Sequence, residues 1–323
     1  MSPRMLFALA CAAAVAAGPG SAGAQSYPAR PIRLIVPYGP GASADAMGRL
    51  VAQKMSEDLG QPVVVENRAG ASGMIGADVV AKSAPDGYTI LLATDATHGG
   101  NAHLMKAPPF HPLRDSTPIT MAAKNLLVLV ASPSLPASSV RELVDHAKRN
   151  PGKLAYGSSG NGSPHHLAGV LFNQLAGTDI AHVAYKGGAP AVTDLLGGTI
   201  PLVYASYVTV AGQIRAGKLR ALGVTEKARV PSLPAIPAIA ETLPEFEMQS
   251  WLAFVGPAGL SAPVLARLHQ SIARGLTAPD VVARLADGGL IVVANTPEQF
   301  AAQMKADYEK RGQLIRQHNI TGD

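Results

Sequence analysis

The chain has 323 residues, a single cysteine, 15% charged residues and a formal charge of +5. Cys11 lies inside an N-terminal apolar run, so the rest of the chain offers no disulfide, thiolate nucleophile or cysteine-based metal site. The basic residues are scattered rather than clustered, which excludes a nucleic-acid footprint and leaves a mild bias toward small anions.

Arg4, the apolar stretch Met5 to Ala17 and Ala22-Gly-Ala24 have the layout of a secretory signal, cleaved near Ala24. The apolar run is too short to span a bilayer, and no later stretch approaches the roughly 18 residues required. Cys11 sits mid-run with Ala8 three residues before it, which does not fit a lipid-anchored cysteine. The expected product is periplasmic, carries 26 basic against 22 acidic residues, and is long enough for two medium domains.

In chain order, Ile32–Val36 reads as a buried strand running through Pro37-Tyr-Gly-Pro-Gly41-Ala-Ser43 into an amphipathic helix with Met47, Leu50, Val51, Met55 and Leu59 on one face. Such a turn can hold an anion, because the first N–H groups of a helix lack partners and the helix dipole is positive there. Further strands are expected near 62–66, 88–94, 126–131, 181–185, 200–205 and 219–224, alternating with helices in an α/β arrangement. Ser139 with Glu142 and Thr296 with Gln299 have capping-box spacing, and Pro164, Pro190 and Pro297 suit first helical positions.

Leu126 to Ala131 followed by Ser-Pro-Ser-Leu-Pro136 reads as a crossing between two lobes, with the return in Val230 to Pro244 or at Trp251 to Pro257. Residues 25–122 with 245–323 then form one lobe and 123–244 the other. Two more loops precede helices: Tyr156-Gly-Ser-Ser-Gly-Asn-Gly-Ser163 and Tyr185-Lys-Gly-Gly-Ala-Pro190. Each alone is a common turn. Three in one chain, on both sides of a crossing, point to a cleft.

Pro31 to Gly41, Gly60-Gln-Pro-Val-Val-Val-Glu-Asn-Arg68, Pro85-Asp-Gly-Tyr-Thr89, Tyr156 to Gly162, His166-Leu-Ala168, Tyr185 to Ala191 and Ala216-Gly-Lys-Leu-Arg-Ala-Leu222 closely resemble the Bug family. These are extracytoplasmic solute-binding receptors associated with tripartite tricarboxylate transporters. The resemblance runs in order along the whole mature chain. It implies a type II periplasmic-binding-protein fold, two α/β lobes joined by two hinge crossings and closing on a small organic carboxylate. It also implies delivery to a membrane transporter of one large and one small subunit, presentation to a sensor protein as a further role, a monomer, and no cofactor.

By the same resemblance the ligand-binding positions are Tyr38, Gly41, Ala42, Ser43 and Asp45 in the first loop, Ser158, Ser159, Gly160, Asn161 and Gly162 in the second, and Tyr185, Lys186, Gly187 and Gly188 in the third. Thr94 is a fourth-loop contact. Lys186 has two readings, an anion sensor or a solvated side chain, and Asp45 suits the positive helix end as loop architecture. Ala205-Ser206 stands where family members commonly carry an aspartate, which argues against an amine-bearing ligand. Asp95 is an unexpected negative charge whose direction the sequence leaves open.

Enzyme chemistry finds little footing. The glycine-serine loops miss G-x-S-x-G, no P-loop or dinucleotide fingerprint occurs, and the histidines lack ligand spacing. A receptor is therefore expected rather than an enzyme; the alternative is an exported hydrolase or isomerase using Ser159 or His98 in the same cleft. Trp251 is expected to pack at the crossing, and Phe300, Met304 and Tyr308 to form a core stripe.

Overall fold

The computed structural model describes residues 27–40, 43–185 and 187–321, with Ser43 described by its backbone alone. The expected signal segment, Gly41, Ala42 and Lys186 lie outside the described residues.

The chain opens with β1 (Ile32–Val36), α1 (Ser43–Leu59), β2 (Val63–Asn67), α2 (Met74–Ala81) and β3 (Thr89–Thr94). A π-helical turn (Ala96–Gly100) leads into α3 (Asn101–Leu104) and then β4 (Ser116–Asn125). Next come β5 (Leu127–Ala131), α4 (Val140–Arg149), β6 (Leu154–Ser158), α5 (Pro164–Ala176), β7 (Ile180–Ala184), α6 (Gly188–Leu196), β8 (Leu202–Ser206), α7 (Tyr207–Arg215) and β9 (Arg220–Val224). The chain then returns through β10 (Trp251–Pro257), α8 (Ala262–Thr277), α9 (Pro279–Asp287), β11 (Leu290–Val292) and α10 (Pro297–Gln317).

Two sheets form two lobes, in the orders β11-β4-β10-β3-β1-β2 and β7-β6-β8-β5-β9. β1 pairs parallel with β2 and β3, and β6 with β7 and β8, while β10 runs antiparallel to β3 and β4. Every residue of β3, β5 and β10 is buried, because helices cover both faces of each sheet and leave no solvent side to alternate toward. Among the described residues no helix is long and apolar enough to cross a membrane.

The seven expected strands form within two residues of their predicted ends. β4 was not anticipated, since Ser-Thr-Pro-Ile-Thr-Met-Ala-Ala-Lys-Asn is neither alternating nor rich in β-branched residues; burial beside β10 overrides that weak propensity. Pro118 is tolerated because β11 pairs only with Ala123 to Asn125, leaving that side of β4 open at the proline. Helix capping at Thr296 and Gln299 forms the full reciprocal box. At Ser139 only half forms, because the Glu142 carboxylate turns to Ser138 instead. Pro190 is the third residue of α6, not the first, a position whose N–H needs no helical partner either.

The crossings are shorter than expected. β4 ends at Asn125 and β5 begins at Leu127, so Leu127 to Ala131 is a buried strand of the second sheet rather than a connector. Phe246 and Met248 pack into the second lobe, which moves the return from 244/245 to Gln249 and Ser250. The C-terminal helix belongs to both lobes: Phe300 and Met304 enter the first lobe's core, and Leu314 and Ile315 the second's.

Candidate functional site

A cleft of about 730 Å³ lies between the lobes. Three helix starts reach it: α1 through Ala44, α5 through Ser163 and Pro164, and α6 through Gly187 and Gly188. Among the described lining residues there is no lysine or arginine and one acid, Asp95. What these described residues offer an anion is oriented backbone dipoles and neutral hydroxyl and amide donors. A second cavity of about 670 Å³, lined by His103 and Lys106, shares Ser72, Asn101 and Asn161 with the cleft.

In the first loop, the Tyr38 hydroxyl lies 3.0 Å from Thr94 Oγ1, and both residues line the cleft. Burial pushes the Tyr38 phenol up to about 12, so it stays a neutral donor. Asp45 departs from the ligand-contact expectation. Its carboxylate accepts from Asn67 Nδ2 at 2.9 Å and Arg49 Nε at 3.1 Å, and the same Asn67 amide donates to the Tyr38 carbonyl at 2.9 Å. Asp45 thus holds the loop and does not line the cleft.

The second loop brings Ser159, Gly160 and Asn161 to the cleft. Ser158 and Gly162 are corrected to scaffold. Ser158 is fully buried, with Oγ 2.6 Å from His182 Nε2 and also bonded to the Gly160 N–H and carbonyl. Gly162 takes φ +68°, its N–H donates to His166 Nδ1 at 3.0 Å, and a Cβ there would lie 2.1 Å from Leu104 Cδ1. His166 stacks on His182 with ring centres 3.7 Å apart, and burial pushes it down to about 4. The loop's shape is thus set by the stacked imidazoles of His166 and His182 beneath it.

In the third loop, Tyr185, Gly187 and Gly188 line the cleft, and the Tyr185 hydroxyl donates to Asp194 Oδ2 at 2.7 Å. Gly187 has φ +113°, a conformation L side chains resist. Ala205 is a further correction: it is fully buried in the second lobe's core, packed with Val203 and Val210, and does not line the cleft. The argument against an amine, which rested on Ala205, falls with it.

Sequence reasoning missed Ser72, Asn101, Asn125 and Ser250 as lining residues. Gly70-Ala-Ser-Gly73 before α2 carried the same strand-to-helix signal as the other loops; Ala71 and Ser72 both have positive φ there, and the Ser72 carbonyl accepts from Asn101 Nδ2 at 2.9 Å. Asp95 faces the cleft wall and is buried. Its Oδ2 lies 3.4 Å from Arg311 Nη2, while Arg311 Nε donates to Asp307 Oδ2 at 2.8 Å and Trp251 Nε1 donates to the same oxygen at 3.0 Å. Burial raises Asp95 to about 6, with Arg311 pulling the other way. Trp251 packs edge-on to Phe300 and also lines the cleft.

His98 is withdrawn from any reaction: it is buried, bonded to Thr97 Oγ1 at 3.0 Å and Ser116 Oγ at 3.1 Å, and pushed down to about 3. Among the described residues no group of histidines and carboxylates is placed to hold a metal.

Two α/β lobes, two short crossings and a cleft walled by helix N-termini define a type II periplasmic-binding protein. The chain belongs to the family described as the tripartite tricarboxylate transporter family receptor, whose family model matches residues 47–320. Protein BugT of Bordetella pertussis is 39% identical over 296 residues, covering 91% of each chain. Among solved structures, Rpa4515 of R. palustris with adipate is similar at 32% identity and TM-score 0.77, over 92% of this chain and all of that one. MatC of Rhodopseudomonas palustris with bound malate is similar at 28% identity and TM-score 0.73, over 90% of this chain and all of that one. The family is one of periplasmic solute-binding receptors, and this chain is a receptor rather than an enzyme.

Proposed function

We propose that the cleft captures one small organic carboxylate and that the two lobes close on it about the crossings at Asn125–Leu126 and Gln249–Ser250. The observation that carries this reading is the convergence of three helix N-termini from both lobes on a cleft whose other donors, among the described residues, are neutral hydroxyls and amides. The adipate and malate named for Rpa4515 and MatC support the ligand class. Tyr38, Thr94, Ser159, Gly160, Asn161, Tyr185, Gly187 and Gly188 are the proposed contacts, with Gly41, Ala42, Ser43 and Lys186 assigned by their loops.

In this reading the signal is cleaved near Ala24 and the monomer hands its ligand to the large and small membrane subunits of a tripartite transporter, with presentation to a sensor protein as a further role. Asp95 widens the ligand class, because an acid in the wall suits a hydroxyl or ammonium group on the bound acid. A thermal-shift screen of refolded mature protein against mono-, di- and tricarboxylic, aromatic and amino acids tests the proposal. An acid at 100 times its dissociation constant adds about 2.7 kcal/mol, a rise of several degrees; no response to any acid contradicts it.

A further inference from the structure

Ser159 reaches the cleft from the second loop, and its Oγ lies 2.8 Å from His165 Nδ1. His165, the second residue of α5, is 7% exposed, and its other ring nitrogen is buried with no hydrogen-bond partner. Burial pushes its pKa down to about 4, so at neutral pH the ring is neutral and carries one N–H. A proton on Nε2 would be a buried donor with nothing to receive it, the rarer defect in folded proteins. It would also commit the Ser159 proton to the imidazole and turn the hydroxyl's lone pairs toward the cleft. A proton on Nδ1 satisfies the ring's one donor and releases the hydroxyl proton.

We infer that His165 is a positioning residue: in its Nδ1–H form it donates to Ser159 Oγ, so that the Ser159 hydroxyl presents its proton to an anion in the cleft. The inference rests on the carboxylate reading above. A hydroxyl that accepts from an N–H is polarised into a better donor, which raises its value to an anion. The neighbouring ring supplies a built-in contrast. His166 Nδ1 accepts from the Gly162 N–H at 3.0 Å, so its proton belongs on Nε2. Adjacent histidines therefore hold opposite tautomers.

The test uses mature protein labelled with ¹⁵N-histidine, long-range ¹H–¹⁵N correlation spectra at neutral pH with and without adipate as probe, and calorimetric titration of variants with adipate. The expected spectrum shows His165 as the neutral Nδ1–H form and His166 as Nε2–H. Ser159→Ala and His165→Leu each weaken adipate about tenfold, the loss of one hydrogen bond to a charged group, and the double variant loses no more than either. His165→Asn, whose amide still donates, keeps most of the affinity. An Nε2–H His165 with adipate binding intact, or losses that multiply in the double variant, overturns the role of His165 alone. Absence of binding by adipate and by every other acid overturns the carboxylate reading and this inference with it. If His165→Leu does not fold, the wild-type spectrum decides.

Discussion

The backbone N–H of Asn125 donates to the carbonyl of Ser250 at 2.8 Å, so the two crossings run side by side and are bonded to each other where the lobes meet. The Asn125 side chain continues the link, donating to Ser206 Oγ at 2.9 Å. Crossings this short leave little chain to deform, and each sheet keeps its own core. Closure is therefore expected to move the lobes as units. Small-angle scattering with saturating ligand should show a smaller radius of gyration with unchanged far-UV circular dichroism; a change in helix content would contradict lobe motion.

Arg311 is the charge that makes the cleft wall tenable. It is fully buried between Asp95 and Asp307, and removing one partner of such a cluster strands the others without water. Arg311→Met should cost about 3–5 kcal/mol in chemical denaturation. Adding Asp95→Asn to that variant should restore part of the loss, and an Arg311→Met protein of wild-type stability would show that the cluster is not coupled.

Asp95 also sets a pH dependence. Its folded value is raised to about 6, against about 3.9 for an unfolded aspartate, so the native state holds the proton more tightly between those values. The resulting stability is full below about pH 4 and is lost as pH rises through about 6. Carboxylates lowered by arginines, such as Asp58 and Glu66, act in the opposite direction, so the informative quantity is the difference between wild type and Asp95→Asn. That difference should decline from pH 4 to 6 and level off above; a flat difference would contradict the burial of Asp95.

Two glycines separate ligand approach from packing. A Cβ at Gly188 meets nothing within 4 Å, so Gly188→Val should leave folding intact and abolish ligand binding by standing between the backbone and the anion. Gly162→Ala should instead lower stability by about 1–3 kcal/mol, because its Cβ collides with Leu104 and its φ is positive. Equal ligand affinity in wild type and Gly188→Val would remove α6 from the site.

Much of this was legible in the chain because the relevant signals are local. The strand-to-helix loops at Tyr38, Ser159 and Gly188 announce themselves by glycine, serine and helix periodicity, and all three reach the cleft. What escaped is decided by distant packing. Ser158 and Ser159 are indistinguishable as neighbours in a sequence, yet β6 turns one under His182 and the other into the cleft. Ala205 reads as a specificity position in the sequence, yet β8 carries it into the core that holds Val203 and Val210. Asp95 gains its partner 216 residues later in the chain, from a helix whose two ends serve different lobes.

The central claim is tested most directly by isothermal titration of refolded, ligand-stripped protein with the acid that gives the largest thermal shift, followed by recovery and identification of the small molecule. One molecule bound per chain, recovered unchanged, is the predicted result. Conversion of the acid into a product, or no saturable heat with any carboxylate, would contradict it.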